Sequence, residues 1–384
     1  MASFLFIGHE ASLTGAPYTQ LHIIQWLRTN TPHKVELVLL QGGALLPEFE
    51  KVATVYVLQK FSSNPPLGQR LLRKLDALTG RYLRGIYSRI KKSNPQFILA
   101  NSLLSLSFAV EAKQQLGIPL LLHLHELQTP FFHISQEKYV QNSRHVDFFI
   151  ACSEAVRTFH QTICGLTDEQ IATVYSFFGP RPHDETTAAS VRAELNIPPQ
   201  ACLVGAVGSQ GWGKGADWFL QVAQYFVGDD TRNVYFVWVG GHTHSRDYKE
   251  FRYDLKLLGL ADRVITIPSR PHIIGFYQAF DVLLLTSRID SFPLVCLEAA
   301  MQGCPTVCFD QAGGMPEFVR DDAGIVVPYG DTVAMAKKTA YLLDNDSERQ
   351  QMGQTGRQRV LTNHTIEVAG PQFYHLFQQF IRCE

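Results

Sequence analysis

Two carboxylates, Asp290 and Glu298, enclose seven uncharged residues in the stretch RIDSFPLVCLEAA. The apolar run DVLLLTS that precedes them is typical of a buried strand. Pro293 suits the first turn of a helix, and Ser291 can cap that helix. The pattern predicts Asp290 in the loop before the helix and Glu298 about one to two turns inside it. Two acids beside the free N–H groups of a helix start suit a polyhydroxylated ligand that carries phosphate.

A glycine-rich loop, GSQGWGKG at 208–215, joins an apolar run typical of a strand to the helical pattern ADWFLQVAQYF. Its glycines let the backbone approach a ligand closely, and Lys214 adds a positive charge. The spacing from Gly208 to Gly213 and Lys214 matches the start of a P-loop, but Gly215 replaces the residue that binds Mg²⁺. The glycine spacing also differs from that of a Rossmann dinucleotide loop. We therefore expect a phosphate-binding turn, with an inert strand–helix turn as the alternative.

Two histidines alternate along the run LLLHLHELQ, so His123 and His125 point to the same face of a strand. His125 ends this strand, where its imidazole could donate to a sugar hydroxyl or a phosphate. A shared zinc ion would need a third ligand, which the local sequence lacks, and a histidine bonded to backbone is the other alternative. The Asp-Asn-Asp sequence at 344–346 lies in a polar turn, so we interpret it as solvated surface. We therefore predict no metal site.

Short apolar runs alternate with helical patterns along most of the chain. Strands are predicted at 3–8, 34–40, 96–102, 118–126, 146–153, 202–208, 234–241, 263–269, 281–287 and 304–309. Near-continuous apolar strands separated by helices indicate parallel sheets covered on both faces. We predict an α/β fold of two Rossmann-like, doubly wound domains that face each other across a cleft, because ligands bind at the carboxyl ends of such strands. The predicted domains are 1–185 and 186–365, divided within a polar, proline-rich connection near 176–200, and an amphipathic helix at 366–384 follows.

Composition limits the possible classes of protein. The 384 residues include 34 basic and 35 acidic ones, a balance that argues against a dedicated nucleic-acid binder. Apolar runs stay below the roughly 18–20 residues that a membrane span needs, and the N-terminal apolar stretch is a poor signal peptide. The seven scattered cysteines lack a CxxC pair, which favours reduced thiols and a cytoplasmic location.

The segment 68–95 carries eight basic residues and one acid, with leucines and tyrosines at helical spacing. Basic amphipathic helices commonly lie on anionic membrane surfaces. Peripheral contact with the inner membrane face is therefore our hypothesis for this segment, and the solvated face of an ordinary surface helix is the alternative.

Taken together, the motifs resemble the GT4 family of retaining glycosyltransferases, which have the GT-B fold. The E-x7-E signature of that family is matched in register from Asp290 to Glu298, and QAGGMPEFV at 311–319 matches the segment that follows it. The sequence from Thr14 to Ala16 resembles the N-terminal glycine loop, HLHE the strand-end histidine, IACSEAV a later segment, and VGSQGWGKG the GRxxxxKG loop. The resemblance covers nearly the whole chain, including a final helix that in this family crosses back to the first domain.

The resemblance implies a nucleotide diphosphate sugar as the donor. Glu298 would hold the ribose hydroxyls, Asp290 the sugar hydroxyls, and Lys214 the diphosphate as it leaves. Gly15 would bring backbone against the donor, and His125 would lie beside its sugar. The implied catalytic residues are His125, Asp290 and Lys214. The implied donor-binding residues are Gly15, Gly208, Ser209, Lys214, Ser269, Arg270, Asp290, Phe292, Pro293, Leu294, Val295 and Glu298.

The sequence departs from the family pattern at three positions. Ser209 stands where the family has an arginine, so Lys214 would meet the diphosphate with less help. Asp290 is one methylene shorter than the usual glutamate, and Pro293 replaces a glycine and removes an N–H. The nucleotide base would lie against residues 267–270, after a strand.

The resemblance further implies transfer with retention, without metal or cofactor, because lysine and helix dipoles stabilise the leaving diphosphate. Front-face attack is favoured over the double displacement of retaining glycosidases. UDP-glucose is the expected donor, although the residues do not select it over GDP-mannose. The expected acceptor is a glycan or polyprenyl-linked oligosaccharide in polysaccharide biosynthesis. The alternative is a sugar-nucleotide-binding protein or an epimerase of the same fold.

Overall fold

The computed structural model describes residues 2–59, 81–179, 184–228 and 232–382. These residues form two sheets in which all paired strands are parallel. The first sheet has the order β3-β2-β1-β4-β5-β6-β7. Its strands are β1 Ser3–Gly8, β2 Lys34–Gln41, β3 Thr54–Gln59, β4 Pro95–Asn101, β5 Leu120–Leu124, β6 Phe148–Ala151 and β7 Ile171–Thr173.

The second sheet has the order β10-β9-β8-β11-β12-β13. Its strands are β8 Cys202–Val207, β9 Val234–Val239, β10 Val264–Ile267, β11 Val282–Leu285, β12 Thr306–Phe309 and β13 Gly324–Val327. In each sheet the direction of winding reverses beside the first strand, between β1 and β4 and between β8 and β11. A crevice at the carboxyl ends of the strands is expected at such a reversal.

Helices cover both faces of each sheet, as buried parallel strands require. Neighbouring residues of β1 illustrate this, because Leu5 and Ile7 join one apolar cluster while Phe4 and Phe6 join another. The helices are α1 Gly15–Asn30, α2 Leu46–Val52, α3 Arg81–Ser93, α4 Leu103–Leu116, α5 Gln136–Ser143, α6 Glu154–Cys164, α7 Ala188–Glu194, α8 Ala216–Tyr225, α9 Arg246–Leu257, α10 Ile274–Ala279, α11 Leu294–Met301, α12 Met315–Val319, α13 Thr332–Asp344, α14 Asp346–Asn363 and α15 Ile366–Gln378. The predicted pair of doubly wound α/β domains is confirmed.

Three strands lie outside the predicted set, namely β3, β7 and β13. Each pairs with only one neighbour at the edge of its sheet, and β7 has three residues. Edge strands are partly exposed, so the apolar run that identifies a central strand is shorter or interrupted in them.

The final helix α15 returns to the first sheet, as predicted. Its Phe377 is fully buried and packs against Phe97 of β4, with ring centres 5.0 Å apart. Gly370 lies so close to the ring of Trp26 in α1 that a larger residue would collide with it. The predicted domain boundary at 185 and 186 falls between the two sheets and stays a prediction.

The basic segment 68–95 lies partly outside the described residues. In its described helix α3, the apolar side chains of Ile86, Tyr87 and Ile90 are buried in the core. Basic side chains such as Arg84 and Lys91 are exposed. This part of the segment therefore offers a basic surface rather than an apolar face, and membrane contact stays a prediction.

Among the described residues, every helix is too short or too polar to cross a membrane. The Asp-Asn-Asp sequence lies at the junction of α13 and α14, as predicted, with both carboxylates exposed. Asp344 accepts hydrogen bonds from Arg232, and Asp346 forms an ion pair with Arg349 at 2.8 Å.

Candidate active site

A cleft with a volume of 860 Å³ lies between the carboxyl ends of the two sheets. It brings together all the residues of the implied catalytic and donor-binding sets, whereas His123 and the first two residues of the segment 267–270 do not line it. The predicted residues that line it are Gly15, His125, Gly208, Ser209, Lys214, Ser269, Arg270, Asp290, Phe292, Pro293, Leu294, Val295 and Glu298.

The glycine loop connects β8 to α8, and its shape depends on close backbone contacts. Gly215 has a φ of +63°, and a Cβ at this position would collide with the carbonyl oxygen of Thr286. The hydroxyl of Thr286 donates to the carbonyl of Lys214 at 3.0 Å. The backbone amide of Arg288 donates to the carbonyl of Gly213 at 2.8 Å. These bonds join the glycine loop to the loop that carries Asp290, so the two loops form one rigid wall of the cleft.

Lys214 and Asp290 form an ion pair, with 2.5 Å between Nζ and Oδ2. The hydroxyl of Ser287 also donates to Oδ2, at 3.2 Å. Burial disfavours the charge on Lys214, but the carboxylate of Asp290 outweighs it and raises the pKa of the lysine. The sequence predicted separate roles for these two residues, whereas the structure pairs them. An anion that approaches Lys214 must therefore compete with Asp290.

The backbone around Asp290 differs from the prediction in one respect. Helix α11 begins at Leu294 with Pro293 as its N-cap residue, and no side chain caps it. The predicted cap by Ser291 is therefore wrong, because Ser291 lies two residues before the cap position. Its carbonyl instead accepts a hydrogen bond at 2.9 Å from the hydroxyl of Ser153, which belongs to the first domain.

Several of the described helices begin at or beside the cleft, and among them α1, α8 and α11 start without a hydrogen bond from an N-cap side chain. Their first N–H groups have no intrahelical partner and carry the positive end of the helix dipole. Gly15 at the start of α1 faces Leu294 at the start of α11, since a Cβ on Gly15 would lie 3.7 Å from the leucine side chain. Helix starts from both domains thus converge on one region, which suits an anion such as a diphosphate.

Glu298 lies inside α11, as expected from the sequence, and only 7% of its surface is exposed. The hydroxyl of Tyr277 in α10 donates to its Oε2 at 2.7 Å. Arg270, which also lines the cleft, donates to Glu194 at 2.8 Å and lies over the ring of Phe276. Sequence reasoning missed Tyr277, because the Glu298 carboxylate that it contacts lies 21 residues later on another helix.

His125 comes directly after β5 on the opposite wall. Its Nε2 lies 2.9 Å from the side-chain oxygen of Asn101, whose amide nitrogen donates to the carbonyl of Ala16 at 3.0 Å. A carbonyl oxygen only accepts, so Nε2 carries the proton and Nδ1 can only accept. Burial, with the nearby His9 as a second cause, lowers the pKa of His125 to about 3. The predicted donation by His125 therefore does not fit this geometry, in which a neutral ring offers an acceptor.

His123 lies on the same face as His125, as predicted, and their ring centres are 4.0 Å apart. The ring of His123 is buried, and burial lowers its pKa well below the usual value. In the described part of the chain, no group of three or more histidine, cysteine or acidic side chains is arranged to hold a metal ion.

Glu126 follows His125 and also lines the cleft. Its Oε2 accepts hydrogen bonds from the amides of Leu103 at 3.3 Å and His125 at 3.0 Å. Burial raises its pKa to about 7, although these N–H donors favour the charged form. Its carbonyl accepts from the ring of His160 at 2.9 Å. Sequence reasoning gave Glu126 no role, and its position just after a strand end was the available signal.

Two family profiles match consecutive parts of the chain. The profile of the family "Glycosyltransferase Family 4" matches residues 15–178, and that of "Glycosyl transferases group 1" matches residues 188–359. Together the two profiles span most of the chain.

Several curated proteins match part of the chain, including one from Corynebacterium diphtheriae and one from Rhizobium meliloti. It is 33% identical over 177 residues to the D-inositol 3-phosphate glycosyltransferase of Corynebacterium diphtheriae, covering 45% of this chain and 41% of that protein. It is 25% identical over 207 residues to the lipopolysaccharide core biosynthesis mannosyltransferase LpsB of Rhizobium meliloti, covering 52% of this chain and 57% of that protein. The chain thus matches about two-fifths to three-fifths of the length of these relatives.

Among solved structures, HepE of Anabaena in complex with UDP-glucose is similar with a TM-score of 0.81. The sequence identity is 22%, and the match covers 99% of this chain and 100% of that chain. This similarity shows a shared fold.

Proposed function

We propose a reaction for this chain, which belongs to glycosyltransferase family 4. It is a retaining hexosyltransferase that moves glucose from UDP-glucose to a glycan or polyprenyl-linked oligosaccharide. The observation that carries the proposal is the composition of one cleft. It contains a lysine–aspartate pair, a buried glutamate and three uncapped helix starts, which together suit a sugar, a ribose and a diphosphate.

The donor is assigned to the second domain. Glu298 is positioned to accept hydrogen bonds from the ribose hydroxyls, and the base lies toward Ser269 and Arg270 at the same end of the cleft. UDP-glucose is the proposed donor because HepE, which has the same fold, was solved in complex with it.

When the donor binds, its diphosphate is proposed to replace Asp290 as the anionic partner of Lys214. In the structure the lysine is charged and paired with this carboxylate, so donor binding replaces one anionic partner with another. Ser209 supplies no charge, and the uncapped starts of α1 and α11 then provide the remaining N–H donors. Asp290, released from the lysine, is free to accept from a hydroxyl of the donor sugar.

The proposed reaction is a front-face transfer without metal or cofactor. The bond between the anomeric carbon and the β-phosphate oxygen breaks, and the acceptor oxygen forms its bond on the same face. The acceptor proton passes to the departing phosphate, which Lys214 and the helix starts stabilise. His125 accepts a hydrogen bond from a sugar hydroxyl through its unprotonated Nδ1 and thereby orients the ring. We propose a cytoplasmic enzyme that works at the inner membrane face, with basic residues of 68–95 toward the membrane.

A thermal-shift panel tests the donor. The full chain is heated with UDP-glucose, GDP-mannose, ADP-glucose or no ligand, each at up to about 100 times the expected dissociation constant. Binding at that excess adds about 2.7 kcal/mol to the free energy of unfolding, so UDP-glucose should raise the melting temperature most. A larger shift with GDP-mannose would replace the donor, and no shift with any sugar nucleotide would overturn the proposed function.

A further inference from the structure

A second, smaller cavity adjoins the cleft at the proposed reaction centre. It has a volume of 290 Å³ and lies between the turn after β5 and the glycine loop. Its walls include His125, Glu126 and Thr129 on one side and Gly213, Lys214 and Asp290 on the other. Four of these residues, His125, Glu126, Lys214 and Asp290, line both cavities, so a molecule in the smaller one would approach the proposed donor sugar directly.

An exposed tryptophan lies at the rim of this cavity. Trp212 is flanked by two glycines that line the cavity, and 56% of its surface is exposed. The guanidinium of Arg288 lies 5.3 Å from the ring centre and donates to the Trp212 carbonyl at 2.9 Å. Asp217 fixes that guanidinium with two hydrogen bonds of 2.8 and 2.7 Å. The indole is therefore held in place although it packs into no core.

A second exposed aromatic residue meets Trp212 from the first domain. Phe132 is 54% exposed, and its ring contacts the indole edge-on with 5.6 Å between the centres. Residues 129–132 form one short helical turn, so Thr129 in the cavity wall and Phe132 at the rim move together. Two exposed rings thus border a cavity whose inner wall carries the carboxylate of Glu126 and the hydroxyl of Thr129.

This combination of groups fits one class of ligand. A pyranose has polarised C–H groups on one face, which suit the negative face of an aromatic ring, and hydroxyls at its edge, which suit Glu126 and Thr129. A linear polyol or a phosphate has no apolar face to cover the indole. We propose that the smaller cavity is the acceptor subsite and that the acceptor presents a pyranose stacked on Trp212. This inference rests on the proposed transferase function and names its acceptor class.

The test measures binding of simple pyranosides to the full chain saturated with UDP. Methyl α-D-glucopyranoside, methyl β-D-galactopyranoside and methyl α-D-mannopyranoside are the probes, with glycerol as the polyol without an apolar face. Saturation-transfer difference NMR reports which ligand protons contact the protein. We expect at least one pyranoside to bind with the protons of one ring face saturated most, and glycerol to show no transfer.

Three variants decide whether the indole is responsible. Trp212→Ala should weaken pyranoside binding about ten-fold, whereas Trp212→Phe should keep most of it, because stacking needs an aromatic face. Tyr253→Ala is the matched control, since Tyr253 is 63% exposed on the outer helix α9 and should leave binding unchanged. The inference is overturned if no pyranoside binds or if Trp212→Ala binds as well as the unaltered chain.

The thermal shift with UDP separates the possible failures. If UDP raises the melting temperature but no pyranoside binds, the acceptor inference fails alone, whereas no shift with any sugar nucleotide removes the proposed function as well. Trp212→Ala could also lose both UDP and pyranoside binding, with Trp212→Phe binding neither ligand. The contact between Trp212 and Phe132 would then serve to hold the two domains together, and the inference is overturned. It is also overturned if Trp212→Ala abolishes binding to anionic phosphatidylglycerol vesicles while no pyranoside binds.

Discussion

The two walls of the cleft have the same architecture and different side-chain chemistry. In both, the cleft lies where the winding of a parallel sheet reverses, and in both an uncapped helix begins there. The wall from the second domain carries a charged lysine, its aspartate partner and a buried glutamate. The wall from the first domain carries His125, which is neutral, and Asn101, which holds it. The fold therefore supplies N–H donors twice, and the side chains decide which wall meets a charged ligand.

Neighbouring charged groups explain why the pKa values of Lys214 and His125 shift in opposite directions although both residues are buried. Burial disfavours the charged form of both Lys214 and His125. Asp290 raises the pKa of the lysine above its usual value despite burial, whereas burial and the nearby His9 both lower the pKa of His125, which loses its charge. Among the described residues that line the cleft, a permanent positive charge is thus kept on the donor side alone. Variants that remove one partner at a time test this division.

The largest expected effect follows from removing the charge on the donor side. Lys214→Met should lower the rate of UDP release from UDP-glucose by about 10²–10³, because one preformed donor to the leaving group is lost. The rate is measured with a coupled UDP assay. Lys249→Met is the matched control, since Lys249 is exposed on α9 and should have no effect. A decrease below about three-fold would remove Lys214 from the proposed mechanism.

Asp290→Asn should have the next largest effect and should separate turnover from binding. We expect kcat for UDP release to fall about 100-fold, because the contact with the donor sugar is weakened. UDP affinity should stay equal or increase, because Lys214 no longer pairs with a carboxylate. Calorimetry with UDP measures this second effect. Weaker binding of UDP by the variant would show that Asp290 positions the lysine rather than competes for it.

Glu298→Gln should weaken UDP binding more than it lowers kcat. We expect UDP affinity to fall about ten-fold, since a neutral amide accepts more weakly from hydroxyls than a carboxylate does. The value of kcat at saturating UDP-glucose should change less than three-fold. Tyr277→Phe should weaken UDP binding by a smaller factor, because it removes the hydroxyl that orients the carboxylate. Glu250→Gln on the exposed face of α9 serves as the control. Equal losses of kcat and affinity in Glu298→Gln would contradict the proposed ribose contact.

Much of the donor wall could be predicted from the sequence because its residues follow strand ends. The apolar run before Asp290 and the helical pattern around Glu298 fix both acids relative to one sheet edge. The glycines at 208–215 likewise indicate the backbone turn that the structure contains. These are properties of local sequence, which strand and helix periodicity encode.

Contacts between distant side chains could not be predicted in this way. The pairing of Lys214 with Asp290 joins residues 76 positions apart, and strand periodicity does not specify the direction of either side chain. The proton on His125 is fixed by Asn101 from another strand, so the sequence predicted a donor where the structure offers an acceptor. Ser291 had the right residue type for a cap, but Pro293 takes the cap position and shifts the helix start.

The smallest expected effect concerns the acidic residue of the first wall. Burial raises the pKa of Glu126 to about 7 from its ordinary value of 4.5, so the folded chain keeps a proton there that the unfolded chain releases. The contribution of Glu126 to the free energy of unfolding must then fall as the pH rises between about 4.5 and 7. This contribution is fully present below pH 4.5 and is lost above pH 7. Burial lowers the pKa of the neighbouring His125 and His160 to about 3 and 4, so these two histidines contribute stability that rises with pH across part of the same window. A comparison with a variant that lacks only the Glu126 carboxyl isolates the contribution of Glu126.

Glu126→Gln removes the titration and keeps an oxygen that accepts from the amides of Leu103 and His125. The unaltered chain should therefore lose on the order of 2 kcal/mol relative to this variant between pH 5 and pH 8, because each unit of pKa shift corresponds to about 1.4 kcal/mol. Urea unfolding at several pH values gives this difference, and the exposed Glu250→Gln should show none. A constant difference across the range would mean that Glu126 is already charged in the folded chain. The first wall would then carry a permanent charge like the second, and the contrast between the two walls would be lost.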